Sequence, residues 1–214
     1  MARPARSKEE VALIKSSILE NALSILVNEG FENLSMGKIG KQMGMTTANL
    51  YNYYKNKDEL YNVIVIQGYN LLHDELVESV TNTPDALNKI MALFHAYIHF
   101  GVHNTHYYHL MFSMDSPKYL DYIGTPSEDV ALIEKQNSLR TLAFVMSVID
   151  EYITDHPGYK NVDSKLVAIQ FWSQLHGLIS LINSGNLREA DENPTQVIEG
   201  ILNNLRTIIK RGLL

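Results

Sequence analysis

Apolar residues recur along this 214-residue chain every three to four positions and almost nowhere every two, which predicts helices rather than strands. Val11, Ile14, Ile18, Ala22, Ile25 and Leu26 share one face of a first helix. "SKEE" at 7–10 reads as its capping box, and Gly30 is placed to stop it. Ser35 can cap a short second helix, "MGKIGKQM", which Gly44 ends, and Thr46 a third, "TANLYNY". Asn56, with Glu59 three residues on, opens a long fourth helix carrying Leu60, Ile64, Leu71, Leu76 and Val80. Thr83-Pro84, Thr125-Pro126 and Asn193-Pro194 each set a capping side chain before a proline at the first helical position. They predict helices near 84–103, 126–154 and 194–211. A shorter helix is expected over 105–114 and another from about 164 to 184, ending at Gly185, with a loop at 115–125 around Pro117 and Gly124. The expectation is an all-α chain of nine helices.

Helices two and three are about two turns each and are joined by "GMT". Two short helices around a glycine turn are the pattern of a helix-turn-helix, whose second helix enters the major groove of DNA. The residue types sharpen that reading. Ile39 and Leu50 can face inward, which leaves Thr47, Ala48, Asn49, Tyr51 and Asn52 outward. Asparagine can pair bidentately with adenine, and threonine or alanine can touch a thymine methyl. Tyr51, Tyr53 and Lys57 suit phosphate contacts, which fix register without reading sequence. Tyr54 is expected to pack on helix one. The reading divides the chain into a DNA-binding head, 1–56, and a body, 57–214, linked by helix four.

Charge first argues against such a partner, because the net charge is −6. Its distribution reverses the argument. Residues 1–60 hold eight Lys/Arg against seven Asp/Glu, whereas 61–214 hold ten against seventeen. Screening limits the body's repulsion to about 8 Å at physiological salt. The absence of cysteine excludes disulfides and thiolate metal sites and fits a reducing compartment. "MARPARSKEE" has no apolar stretch behind its arginines, and no run of roughly 18 apolar residues follows. A cytoplasmic protein without a membrane partner is expected.

The stretch "ILENALSILVNEGFENLSMGKIGKQMGMTTANLYNYYKNKDEL" resembles the DNA-binding head of the TetR (tetracycline repressor-like) family of bacterial regulators. The match runs from Gly30-Phe31 through Ser35, Ile39, Gly44, Leu50-Tyr51 and Tyr54 to Lys57, Glu59 and Leu60. The resemblance implies DNA contacts at Ser35, Thr47, Tyr51 and Lys57, and base reading at Ala48 and Asn49. With Thr46, Asn52 and Tyr53 these make up the expected DNA-facing set. Tyr53 stands where the family often has a phosphate-contacting histidine, and Gly37 where some members place a side chain that reaches a base.

In the body, "FWSQLHGLISLINSG" at 171–185 is apolar nearly all round its helix, as expected of a helix buried on more than one side. Trp172, His176 and Gly177 resemble the C-terminal domain of a TetR subgroup named for a Trp-His-Gly signature. A mid-helix glycine is disfavoured by up to ~1 kcal/mol against alanine, so Gly177 suggests close helix–helix approach. Trp172, Leu175, Gly177 and Leu178, with Ile198, Ile201, Leu202 and Leu205 of the last helix, are the expected homodimer interface. Many rings and methionines lie between 60 and 155. Tyr69, Phe94, Tyr97, Tyr108, Phe112 and Met146 are expected to line a site for a small organic effector, and the resemblance implies one too. His95, His99 and His103 are spaced to share a helix face, but no H-E-x-x-H accompanies them, and neither metal nor cofactor is expected.

No nucleophile–base pair, phosphate loop or carboxylate pair appears at a recognisable spacing, which argues against an α-helical enzyme. A constitutive DNA binder would not need so large a body. The expectation is a homodimeric repressor that binds double-stranded operator DNA and is released by a small, mostly apolar molecule, with repression implied by the resemblance.

Overall fold

A computed structural model describes residues 6–159 and 161–212. The helices are α1 (Lys8–Glu29), α2 (Met36–Met43), α3 (Thr47–Leu50), α4 (Lys57–Val80), α5 (Ala86–His103), α6 (Thr105–Phe112), α7 (Glu128–Asp155), α8 (Ser164–Asn183), α9 (Asn186–Ala190) and α10 (Pro194–Lys210). Short 3-10 turns lie at Phe31–Asn33, Tyr119–Tyr122 and Pro157–Tyr159. Among the described residues there is no strand, and no helix is long and apolar enough to cross a membrane. The all-α expectation holds, with ten helices among the described residues instead of nine. The extra one is the five-residue α9, which starts at Gly185 in a left-handed conformation (φ 80°).

The chain divides into two compact units. The first comprises Met1–Tyr69 and His106–Asn137. Its core is built on the apolar face of α1, where Ile18, Ala22, Ile25 and Leu26 are buried with Phe31, Ile39, Leu50 and Leu60. Phe31 meets Tyr61 edge-on at 5.0 Å, and the Tyr61 hydroxyl donates to the Leu110 carbonyl at 2.9 Å. Here α4 and α6 approach so closely at Gly68 that a Cβ would lie 2.6 Å from the Met111 sulfur.

The second unit comprises Asn70–Thr105 and Ser138–Leu214. In it α5 packs against α8 and α10. Phe94 meets Phe171 edge-on at 4.8 Å, and the Asn183 amide donates to the Gly101 carbonyl at 3.0 Å. Lys89 pairs with Glu151 at 2.6 Å.

Most of the predicted punctuation is present. Ser7 and Glu10 form the capping box of α1, and Asn193 caps α10 with Pro194 at its first position. Two caps are displaced. At the start of α5 the capping oxygen is that of Asp85, which accepts from Asn88 N at 2.9 Å, while Thr83 donates back toward the end of α4. A carboxylate is the better acceptor for free N–H groups at the positive end of a helix. At α7 the Thr125 hydroxyl accepts from Ser127 N at 3.2 Å, a tight turn that carries Pro126 and starts the helix at Glu128. Along α4 the buried positions include Leu60, Ile64, Leu72 and Leu76, and Leu71 is exposed. The four-residue spacing places Leu72 inward and turns its neighbour out.

Candidate nucleic-acid interface

The recognition segment is built from two caps and one glycine. The Ser35 hydroxyl accepts from Lys38 N at 3.2 Å and starts α2. Gly44 closes that helix in the left-handed region (φ 63°), and the Thr46 hydroxyl accepts from Asn49 N at 3.3 Å to start α3. Gly40 determines how near the two helices come. A Cβ there would lie 2.7 Å from the Met45 carbonyl oxygen and 3.4 Å from Leu50 Cδ1, while Met45 N donates to the Gly40 carbonyl at 2.8 Å. Backbone touches backbone at this point, so no side chain fits.

With Ile39 and Leu50 fully buried, α3 turns Thr47, Ala48, Tyr51 and Asn52 to the surface. Asn49 is half-buried, and the Asn52 amide reaches its side-chain oxygen at 3.4 Å. Tyr51 is 53% exposed. Ser35 and Thr46 are exposed but spend a lone pair on their caps. Gly37 is exposed, and a Cβ there would meet Thr47 Oγ1 only at 3.9 Å, so the position is open rather than packed.

The tyrosines that follow have different surroundings. Tyr54 is buried, with the Lys15 ammonium 5.4 Å from its ring centre. Burial, helped by Glu59, pushes its phenol up to about 12, so it stays protonated. Tyr53 is half-buried, and its hydroxyl accepts from the Arg6 guanidinium. Lys57, at the start of α4, holds its ammonium 4.4 Å from the centre of the Phe31 ring, so the expected phosphate-facing cation is seated on an aromatic face in the free chain. The Asn56 oxygen accepts from both Glu59 N at 2.8 Å and the Ser127 hydroxyl at 3.1 Å, tying the start of α4 to the start of α7. Arg6, Lys15 and Gly40 were not among the expected site residues. The two cations are remote in sequence, and only a short spacing between predicted helices marks the glycine.

The expected effector residues divide between the units. In the first, Tyr69 meets Phe112 at 6.0 Å and Tyr108 meets Phe112 at 5.0 Å, both edge-on. In the second lie Phe94 and Tyr97, both buried, and half-buried Met146. The Tyr97 hydroxyl accepts from the Trp172 indole at 2.8 Å. His95, His99 and His103 are exposed on α5, with His99 against the Glu75 carboxylate and stacked on His103 at 4.0 Å. No group of three among the described residues is arranged to hold a metal ion.

The expected interface residues also separate. Leu175, Leu178, Leu202 and Leu205 are buried inside the second unit, so these four serve the chain's own core and present no surface. Ile198 and Ile201 are half-buried. Trp172 is 43% exposed, alongside exposed Leu166, Ile169 and Leu181 on the outer side of α8. Gly177 is exposed, and a Cβ there meets nothing within 4 Å. Burial lowers the pKa of the neighbouring His176.

Two family models match this chain: "Bacterial regulatory proteins, tetR family" over residues 18–64 and "Tetracyclin repressor-like, C-terminal domain" over residues 90–205. An uncharacterized HTH-type transcriptional regulator of Bacillus subtilis, YobS, is 23% identical over 205 residues, covering 95% of this chain and 94% of its own. The biofilm operon negative transcriptional regulator IcaR of Staphylococcus epidermidis is 29% identical over 66 residues, 31% of this chain and 36% of its own. Among solved structures, a tetR-family regulatory protein from Rhodococcus RHA1 superimposes with a TM-score of 0.70 at 14% identity, over 95% of this chain and 98% of that one.

Proposed function

Because the chain belongs to the tetR family of bacterial regulatory proteins, and is thus a DNA-binding transcriptional regulator, we propose that it is a homodimeric repressor released from its operator by a small, mostly apolar molecule. The observation that carries the DNA side is the exposed row Thr47, Ala48, Tyr51 and Asn52, held on a helix pair that Gly40 locks together. Ala48 and Asn49 read base edges. Ser35, Thr46, Thr47, Tyr51, Asn52, Tyr53 and Lys57 hold the backbone, Lys57 by leaving the Phe31 ring for a phosphate. Repression is favoured by the similarity of 66 residues of this chain to the negative regulator IcaR.

Two-fold operators need two heads about 34–36 Å apart. The outer side of α8 around Trp172 and Gly177, with Ile198 of α10, is the proposed contact between copies. The division of labour places DNA binding in 1–56 and effector binding with dimerisation in 57–214. The effector contacts the rings that the first unit gathers, Tyr69, Tyr108 and Phe112. The link is α4, whose 24 residues span about 36 Å as one helix. By linkage, effector and operator weaken each other by the same factor, commonly 1–3 kcal/mol.

The test selects bound duplexes from a random pool and titrates them across salt concentrations. Lys57→Ala is expected to weaken all duplexes and lower the salt slope by about one, while Asn49→Ala relaxes preference at one base position. Wild-type behaviour of both variants on the selected duplex would overturn the groove assignment. A thermal-shift screen then supplies candidate effectors. Hits that bind and leave operator affinity unchanged would make the protein a constitutive DNA binder instead.

A further inference from the structure

We infer that Arg6 and Tyr53 form a composite phosphate clamp, so that the residue just ahead of α1 belongs to the DNA-binding surface. This rests on the DNA-binding reading. Three observations carry it. The Arg6 guanidinium donates to the Tyr53 hydroxyl across 47 positions of sequence. Arg6 is exposed, and among the described residues no carboxylate pairs with it. Of the two acids in the first turn of α1, Glu9 and Glu10, the second is engaged by the capping box, its carboxylate accepting from Ser7 N at 2.7 Å. Tyr53 in turn is tied to the end of α3 by a hydrogen bond from its N–H to the Leu50 carbonyl (2.9 Å), and it directly follows exposed Tyr51 and Asn52.

The chemistry is that of a donor pair. An arginine N–H pointed at a phenol oxygen occupies one of its lone pairs and leaves the phenol O–H to be donated elsewhere. The remaining guanidinium N–H groups stay available, and the charge stays uncompensated. A phosphate oxygen facing Tyr53 would accept from the phenol and lie beside a cation that forks naturally onto phosphate. Tyrosine alone is neutral and would only position; with Arg6 it also neutralises charge and releases a counterion. Ser7 anchors the arrangement, because its cap fixes where α1 begins and hence where Arg6 leaves the helix.

The experiment measures binding of the full-length protein to a random-sequence duplex and to its selected duplex between 0.05 and 0.3 M salt, concentrations chosen as the range in which phosphate contacts dominate, roughly. Arg6→Ala is expected to weaken both duplexes by roughly two- to fivefold near physiological salt and to lower the salt slope by about one. Arg6→Lys restores the slope but not all of the affinity, since an ammonium cannot fork. Tyr53→Phe weakens binding, and the double variant Arg6→Ala with Tyr53→Phe loses less than the two single losses combined. Circular dichroism melts verify that each variant is folded. An Arg6→Ala protein with wild-type affinity and slope overturns the clamp while leaving DNA binding intact. A wild-type protein that binds neither duplex removes the DNA-binding reading and the clamp with it.

Discussion

Two helical glycines of this chain look alike in sequence and differ in what surrounds them. Gly40 sits in α2, where an added Cβ would collide with the Met45 carbonyl at 2.7 Å. Gly177 sits in α8, where the same atom would meet nothing within 4 Å. The first is explained inside its own unit, by the approach of α3. The second has no explanation within the chain, although a mid-helix glycine is disfavoured by up to ~1 kcal/mol against alanine. It lies one turn before exposed Leu181 on a helix that also exposes Trp172 and Ile169. The recognition segment is complete as it stands and offers polar groups, whereas the outer side of α8 exposes four large apolar side chains, Leu166, Ile169, Trp172 and Leu181, among polar ones. That contrast favours DNA as the partner of one and a second copy of the chain as the partner of the other.

The contrast breaks most severely at Gly40. Gly40→Ala forces a methyl against a backbone carbonyl, which cannot rotate away as a side chain would. Alanine gains in helix propensity, but overpacking of this kind commonly destabilises by about 1–3 kcal/mol and here displaces α3 from α2. We expect a lower melting temperature and loss of binding to the selected duplex, with the chain still able to self-associate. A variant as stable as wild type, with normal DNA affinity, would mean that α3 can retreat without consequence.

At Gly177 the expected sign is opposite. Gly177→Ala adds helix propensity with no clash and is expected to raise the stability of the isolated chain, up to ~1 kcal/mol at most. Gly177→Trp fills the open space and is expected to weaken or abolish the dimer, and with it two-site DNA binding, while leaving the head folded. Sedimentation across a range of protein concentrations, read beside the melts, separates chain stability from association. A normal dimer for Gly177→Trp would move the contact between copies away from this part of α8.

What could be read in the sequence, and what could not, follows the same division between local and remote causes. Ser7, Ser35, Thr46, Asn56 and Asn193 all cap as expected, because a cap is decided within about four residues of itself. Thr83 lost its role to Asp85 within that same range, a competition between two acceptors that spacing alone does not rank. The outward row of α3 was legible because two buried residues, Ile39 and Leu50, fix the orientation of the helix pair. The inward leucines of α8 and α10 were legible as apolar but not as to what they bury against. Leu175 and Leu205 could serve a partner or the chain's own core equally well until α5 is placed beside them. Arg6 lay outside any sequence argument, since nothing near it announces Tyr53.

The smallest expected effect compares the two regions by titration. In the first unit, burial raises the pKa of Glu134, and Lys118 only partly opposes it. In the second, burial lowers the pKa of His176. A carboxyl raised in the folded state binds its proton more readily folded than unfolded. Stability from Glu134 therefore rises as pH falls through the raised folded value, and the gain is complete below the unfolded value of about 4.3. A histidine lowered in the folded state has the opposite effect. Its contribution is intact above about pH 6.5 and is lost as pH falls from there to the folded value, because the unfolded chain takes up the proton first. Glu134→Gln is thus expected to stabilise the protein slightly at pH 7 and to remove the gain on acidification. His176→Gln is expected to flatten the loss of stability just below pH 6.5 and to leave the Glu134 behaviour unchanged. Melting temperatures of both variants and wild type, taken from pH 4 to 8, carry the test (a window of about that width brackets both groups). Parallel curves for all three proteins would mean that neither group is held away from its ordinary value.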